Sequence, residues 1–360
     1  MLAKSTLLAV LFAGSATAHD TGRTVTFHSV EGARFSVRRE TSPGPRVVFE
    51  SEDSDPVLEP WDTVLVQGLL PERGISLQVL RSGESGWEAL EIHPFPGGRF
   101  WGKARLSRAA GSLRLRALDT GVRRDHEVSL FGIEVFADEP QAPGLSPVPP
   151  RGPEDPSAQR PLVHLRAEWG ASAPAEAYFP DPLPWRVTLH HSDGRYTRTL
   201  AESLEEAKFI QDFHQRGRGW IDIGYHFIID SAGNIIEARP EGVLGAHTLA
   251  NNEGNIGIVL LGTYHPPTND RTTKAQLEAL VALGRYLVTR YGIDPESLKG
   301  HRDYKKTLCP GDKAYPTILE LRKAFAGGPI PVPPAKKRRA PKIQALLSTA
   351  VDWDGAQRVK

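Results

Sequence analysis

The chain has a single cysteine, Cys309, among its 360 residues. One thiol excludes an intrachain disulfide, a multi-thiolate zinc knuckle and an all-cysteine iron–sulfur cluster. It leaves open one thiolate acting as a metal ligand or nucleophile. Charge of one sign is also missing: 44 Lys and Arg stand against 43 Asp and Glu, a formal net charge of +1. That balance offers no general attraction to nucleic acid or to an anionic membrane. Long hydrophobic runs are scarce. Ile256 to Leu261 is strand-length, and the apolar stretch from Leu7 to Phe12 is far short of the ~20 residues that span a bilayer.

What is present suffices for packed cores, with 39% hydrophobic and 8% aromatic residues. At roughly 150 residues per domain, the length predicts about two domains. The N-terminus has Lys4, a short apolar core and Ala16-Thr17-Ala18, the marks of a secretory signal peptide over 1–18, cut before His19. The residue directly after that point is His19 and not cysteine, which excludes a lipid anchor there. The mature chain is expected outside the cytoplasm, periplasmic or secreted. Export makes a lone thiol odd, because oxidising compartments favour paired ones. Either it is a small buried hydrophobe or a metal protects it.

Residues 19–137 carry short β-type runs such as Pro45-Arg-Val-Val-Phe49, Thr63-Val-Leu-Val-Gln67 and Ser112-Leu-Arg-Leu-Arg116. Leu113, Leu115 and Ala117 alternate with Arg114 and Arg116, the period of a half-buried strand. An all-β, sandwich-like accessory module is predicted, with carbohydrate or cell wall as its candidate ligand. Residues 138–160 form a proline-rich linker, and a second Pro-rich and basic stretch over 327–360 forms a tail. Between them, 161–326 alternates strands and helices: an α/β domain. Pro184 to His190 and Tyr225 to Ile229 read as strands, and Asn255 to Leu261 as a buried central one. Ser203-Leu-Glu-Glu206 reads as a capping box opening a helix. Thr273-Lys-Ala-Gln276 caps a longer one, and Tyr315-Pro316 starts a last one.

Of 12 histidines, seven fall between 190 and 301. His190 and His191 end a strand, where neighbours point to opposite faces, so one of the pair at most reaches a given metal. Thr188 and Arg186 put His190 on the more polar face. His301 opens a Lys- and Asp-rich loop that closes on Cys309-Pro310-Gly311. Two imidazoles and a thiolate leave a fourth tetrahedral position for water, the pattern of a catalytic zinc site. Unrelated surface histidines and a buried cysteine are the competing reading.

Five motifs together carry a resemblance: Trp185 to Ser192 with its doublet His190-His191, Trp220 to Phe227, Gly245-Ala-His247, Asn255-Ile-Gly-Ile, and Gly300-His301-Arg302-Asp303 through Cys309-Pro310-Gly311-Asp312. In that order and spacing the segment resembles the zinc-dependent N-acetylmuramoyl-L-alanine amidase (type 2) and peptidoglycan recognition protein family. Arg166-Ala-Glu-Trp169-Gly170-Ala171 resembles its entry motif. The resemblance implies a central mixed β-sheet flanked by helices and a groove for peptidoglycan. It implies Zn2+ held by His190, His301 and Cys309, and hydrolysis of the amide between N-acetylmuramic acid and L-alanine. Tyr225 matches the tyrosine that helps the zinc-bound water and the oxyanion, and His247 a groove histidine near the scissile bond. Thr307 stands where some phage members have lysine; it offers a hydrogen bond and no cation. His226 reads as structural. Two alternatives remain open: a peptidoglycan-binding module without catalysis, or a zinc peptidase cutting stem peptides.

Overall fold

A computed structural model describes residues 22–24, 34–39, 44–71, 73–137, 155–266 and 268–333. The expected signal peptide over 1–18, most of the expected 138–160 linker and the residues beyond 333 therefore lie outside the described residues.

The N-terminal region is built of strands alone. They are β1 (Gly22–Thr24), β2 (Arg34–Val37), β3 (Arg46–Glu50), β4 (Val57–Leu69), β5 (Ile75–Arg81), β6 (Glu88–Ala89), β7 (Glu91–Pro94), β8 (Arg99–Gly111), β9 (Leu113–Asp119) and β10 (His126–Phe136). One sheet has the order β1-β10-β4-β8-β7 with β2 also on β10, and the other the order β3-β9-β5-β6. All pairings are antiparallel. The predicted alternation is plain in β9, where Leu113, Leu115 and Ala117 are buried and Arg114 and Arg116 are not. These residues join Val64 and Val66 of β4 and Leu77 and Val79 of β5 in one core shared by both sheets.

The C-terminal region holds β11 (Arg186–His191), β12 (Phe227–Ile229), β13 (Ile235–Glu237), β14 (Asn255–Leu260) and β15 (Leu298–Gly300), with α1 (Leu200–Asp212), α2 (Lys274–Tyr291) and α3 (Ile318–Phe325). The sheet order is β13-β12-β14-β11-β15. The inner pairings are parallel and β13 is antiparallel to β12, so the sheet is mixed. Every residue of β11, β12 and β14 is buried, as covering both faces of a parallel sheet requires. Phe227, Ile229, Ile258 and Leu260 pack towards α2 and α3. Ile228 and Val259 face the other way, in a cluster with Ala207 and Ile210 of α1.

Helix α1 begins one turn earlier than Ser203-Leu-Glu-Glu206 suggested. Thr199 is the cap and Glu202 its reciprocal partner. Thr199-Leu-Ala-Glu202 satisfies the same box, and Ser203 and Glu206 have other uses. Ser203 Oγ donates to Asp230 and Glu206 is bound by Arg99. Thr273 caps α2 as predicted, accepting from the Gln276 amide, and α2 ends on the left-handed Gly292 at φ 62. Pro316 sits in a 3₁₀ turn that leads into α3.

The two regions are in contact. Leu65, Trp101 and Phe136 of the β-rich region share a buried cluster with Phe209, Ile210 and Phe213. Arg99 of β8 bonds both carboxylate oxygens of Glu206 at 3.0 and 2.5 Å, with side chains only 3% and 1% exposed. Among the described residues no helix is long and apolar enough to cross a membrane.

Candidate metal centre

His190 is the last residue but one of β11, and His301 follows β15, the strand paired beside it. Both stand at carboxyl ends of parallel strands, where α/β sheets place ligand sites because loops there diverge and leave a crevice. Cys309 arrives on the loop between β15 and α3. Arg302 holds that loop: its amide donates to the Cys309 carbonyl at 3.0 Å, and its guanidinium pairs with Asp312 at 2.9 Å. Thr307 Oγ1 accepts from the Cys309 amide at 3.2 Å, shaping the turn that presents the sulfur.

The loops bring His190, His301 and Cys309 together, with donor atoms all within 4.8 Å of one another. Cys309 Sγ lies 3.6 Å from His190 Nδ1. His301 Nε2 is buried and has no hydrogen-bond partner among the described residues. A buried polar atom without a partner is costly and rare, and a metal would satisfy it. Burial holds the His190 and His301 imidazoles well below their usual range, so both are neutral and ready to ligate at pH 7. Burial also pushes the metal-free Cys309 thiol up to about 12. Two neutral imidazoles and a sulfur, with room for one further ligand, suit zinc.

The resemblance implied a groove histidine near the scissile bond at His247. It borders the cleft but is only 5% exposed, and both ring nitrogens are engaged. Its Nε2 must donate to the Asn255 carbonyl at 2.9 Å, because a carbonyl only accepts. Its Nδ1 then accepts from His190 Nε2 at 3.0 Å. That order fixes the His190 tautomer and leaves Nδ1, the atom facing Cys309, with a free lone pair. His247 packs so closely that a Cβ on Gly257 would lie 2.6 Å from its ring. The glycines in Gly245-Ala-His247 and Asn255-Ile-Gly257 were the available signal for a buried histidine.

Tyr225 lies over the site, its ring 5.2 Å from that of His190 and partly exposed to the cleft. His226 is structural: Nδ1 accepts from the Gly257 amide at 3.0 Å and Nε2 donates to the Val243 carbonyl at 2.9 Å. His191 points to the opposite face, against Tyr264 and His265. A second trio, His191, Asp193 and His265, also meets within 4.8 Å. There His265 Nδ1 donates to the Pro266 carbonyl at 2.7 Å and Nε2 meets Asp193 at 3.2 Å. Burial opposes the charged imidazole, but Asp193 outweighs it and raises the His265 pKa. The pair is a self-satisfied ion pair, with no ring lone pair left for a metal.

The cleft is open to solvent, about 1020 Å³ counting the solvent at its mouth, and is lined by Tyr225, His301, Lys305, Thr307 and Cys309 on one side. Sequence reasoning missed its other side: Gln67, Gly132 and Glu134 come from the β-rich region. No local motif marks them, since only the docking of two distant segments brings them there.

Residues 181–312 match the family described as N-acetylmuramoyl-L-alanine amidase. Peptidoglycan-recognition protein SC2 of Drosophila simulans is 37% identical over 155 residues, covering 42% of this chain and 82% of that protein. The N-acetylmuramoyl-L-alanine amidase of Sus scrofa is 32% identical over 164 residues, 43% of this chain and 26% of that longer protein. Among solved structures, the amidase LysCS from Clostridium intestinale URNW aligns at 29% identity with a TM-score of 0.39, over 48% of this chain and 100% of that one.

Proposed function

Because this chain belongs to the N-acetylmuramoyl-L-alanine amidase and peptidoglycan recognition protein family, we propose that it is a zinc-dependent peptidoglycan amidase. It cuts the bond between the lactyl group of N-acetylmuramic acid and L-alanine. The observation that carries this reading is the trio itself: His190, the orphaned Nε2 of His301 and Cys309. A module that only bound its ligand would need no such set.

Zinc in this trio would supply Lewis acidity and a hydrolytic water at neutral pH. The chain's own residues do the rest. His247 holds His190 so that its lone pair faces the trio. Thr307 holds the cysteine loop. Tyr225, facing the cleft, donates its hydroxyl to the oxygen on which charge develops. His247 cannot protonate the leaving amine while Asn255 and His190 occupy its nitrogens.

The remaining organisation belongs to the same proposal. Residues 1–18 are an export signal, 138–160 a linker, and the enzyme works on cell wall outside the cytoplasm.

The test is mass spectrometry of peptidoglycan digested with and without a chelator. Intact stem peptides released from glycan, and suppressed by chelation, are the expected outcome. Cuts inside the stem would make it a zinc peptidase. Binding without any release would make it a recognition module.

A further inference from the structure

The β-rich region was expected to be an accessory module with carbohydrate or cell wall as its candidate ligand, and it makes direct contacts with the C-terminal region. Beyond the Arg99–Glu206 pair, Trp101 Nε1 donates to Asp212 at 2.9 Å and Lys103 Nζ to the Gly217 carbonyl at 2.9 Å. Arg218 bonds both oxygens of Glu134. Gln67 Nε2 donates to the Asp193 carbonyl at 3.2 Å, three residues past His190. Polar ties surround the shared apolar cluster, so the face of β4 and β10 is held against the cleft.

Gly132 sits at the centre of this face. The register of β10 against β4 shifts between Leu130 and Gly132, a bulge that turns the strand. Its φ is not in the left-handed region. A Cβ there would meet only Asp193 Oδ2 at 3.5 Å and Gln67 Nε2 at 3.8 Å, both ordinary contacts. Backbone geometry therefore does not demand glycine, and a larger side chain would project into the cleft.

We propose that the β-rich region forms one wall of the substrate cleft, and that bare Gly132, between Gln67 and Glu134, is a binding subsite for the glycan–peptide ligand. This rests on the amidase reading for the identity of the ligand. The polar groups of the wall are already paired: Gln67 Oε1 accepts from Arg99 at 3.0 Å, its Nε2 donates to Asp193, and Glu134 holds Arg218, so the wall contributes shape rather than free hydrogen-bonding groups. The missing side chain at 132 leaves room for ligand atoms in the same cleft as His301 and Cys309.

The experiment is a graded series in the full chain: Gly132→Ala, Gly132→Leu and Gly132→Trp. Each variant is measured for zinc content, thermal midpoint, binding of a soluble disaccharide-peptide by calorimetry, and kcat and KM on the same fragment. The expected result is near-normal binding for alanine, roughly tenfold weaker for leucine, and weaker still for tryptophan, with zinc content unchanged. KM should rise while kcat changes little, which a merely structural role would not produce. If tryptophan unfolds the bulge, the alanine-to-leucine step still decides. Fragment binding equal across all folded variants overturns the wall. A wild type that binds the fragment without cutting it overturns the amidase reading and leaves the wall testable by binding alone.

Discussion

The two regions bury their strands in opposite ways. In the β-rich region, antiparallel strands such as β9 alternate buried and exposed residues. In the C-terminal region the parallel strands β11 and β14 are buried throughout, including both histidines of the doublet. Alternation costs nothing when polar groups reach water. Full burial forces each polar side chain to find a partner, and here those partners are one another: His190 with His247, His247 with Asn255. The chemistry sits where burial is most demanding. The other region contributes shape, through a bulge and an uncovered glycine.

That contrast can be broken from either side. The largest expected effect is on the C-terminal side: Cys309→Ala should abolish zinc binding and activity together, since three ligands become two and no other thiol exists. Full activity in that variant would sink the zinc assignment. On the β-rich side, Arg99→Met should cost about 3–5 kcal/mol in urea unfolding, because it strands Glu206 as a buried charge. Adding Glu206→Leu should recover most of it. An Arg99→Met variant as stable as the parent would mean the two regions are not coupled through this pair.

Tyr225→Phe should lower kcat on the order of 100-fold with zinc content and KM kept, the scale of one lost oxyanion donor. A variant with normal kcat would return Tyr225 to a packing role. Next, His247→Ala should weaken zinc roughly 10–100-fold in chelator competition, as loss of a residue that orients a ligand does. Unchanged affinity would show that His190 needs no support.

The smallest effect is on pH. Burial lowers the His226 pKa to about 4 from its ordinary value of about 6.5, so the folded ring stays neutral while the unfolded one takes a proton. Its contribution is complete above about pH 6.5 and is lost as pH falls towards 4. Between pH 6.5 and 5.5 the zinc-free protein should lose about 1 kcal/mol from this ring alone, by denaturation at the two pH values. The β-rich region buries no such histidine among the described residues, so the acid lability should originate in the C-terminal sheet.

Much of the candidate site was legible in local sequence. The His190-His191 doublet, the His301 to Cys309 loop and the face preference of His190 all follow from strand alternation and loop composition, and Thr273 marked the start of α2. Less legible was the start of α1, because two overlapping capping boxes, at Thr199 and Ser203, differ only in what tertiary partners do with Ser203 and Glu206. The burial of His247 was not legible for a similar reason. A histidine in a loop motif looks exposed until Gly245 and Gly257 are seen to let it sink behind the strand.

The five motifs carried the family resemblance, the lone cysteine and the histidines fixed which donor types were on offer, and the balanced charge only excluded partners, because those depend on which atoms the chain carries and on local sequence. Three matters waited for the tertiary structure. One was the tautomer of His190, which is set by a hydrogen-bond chain through residues more than 50 positions away. Another was the self-satisfied pair of His265 and Asp193. The last was the wall made by Gln67, Gly132 and Glu134. Each depends on which distant groups share a low-dielectric space, and only packing decides that.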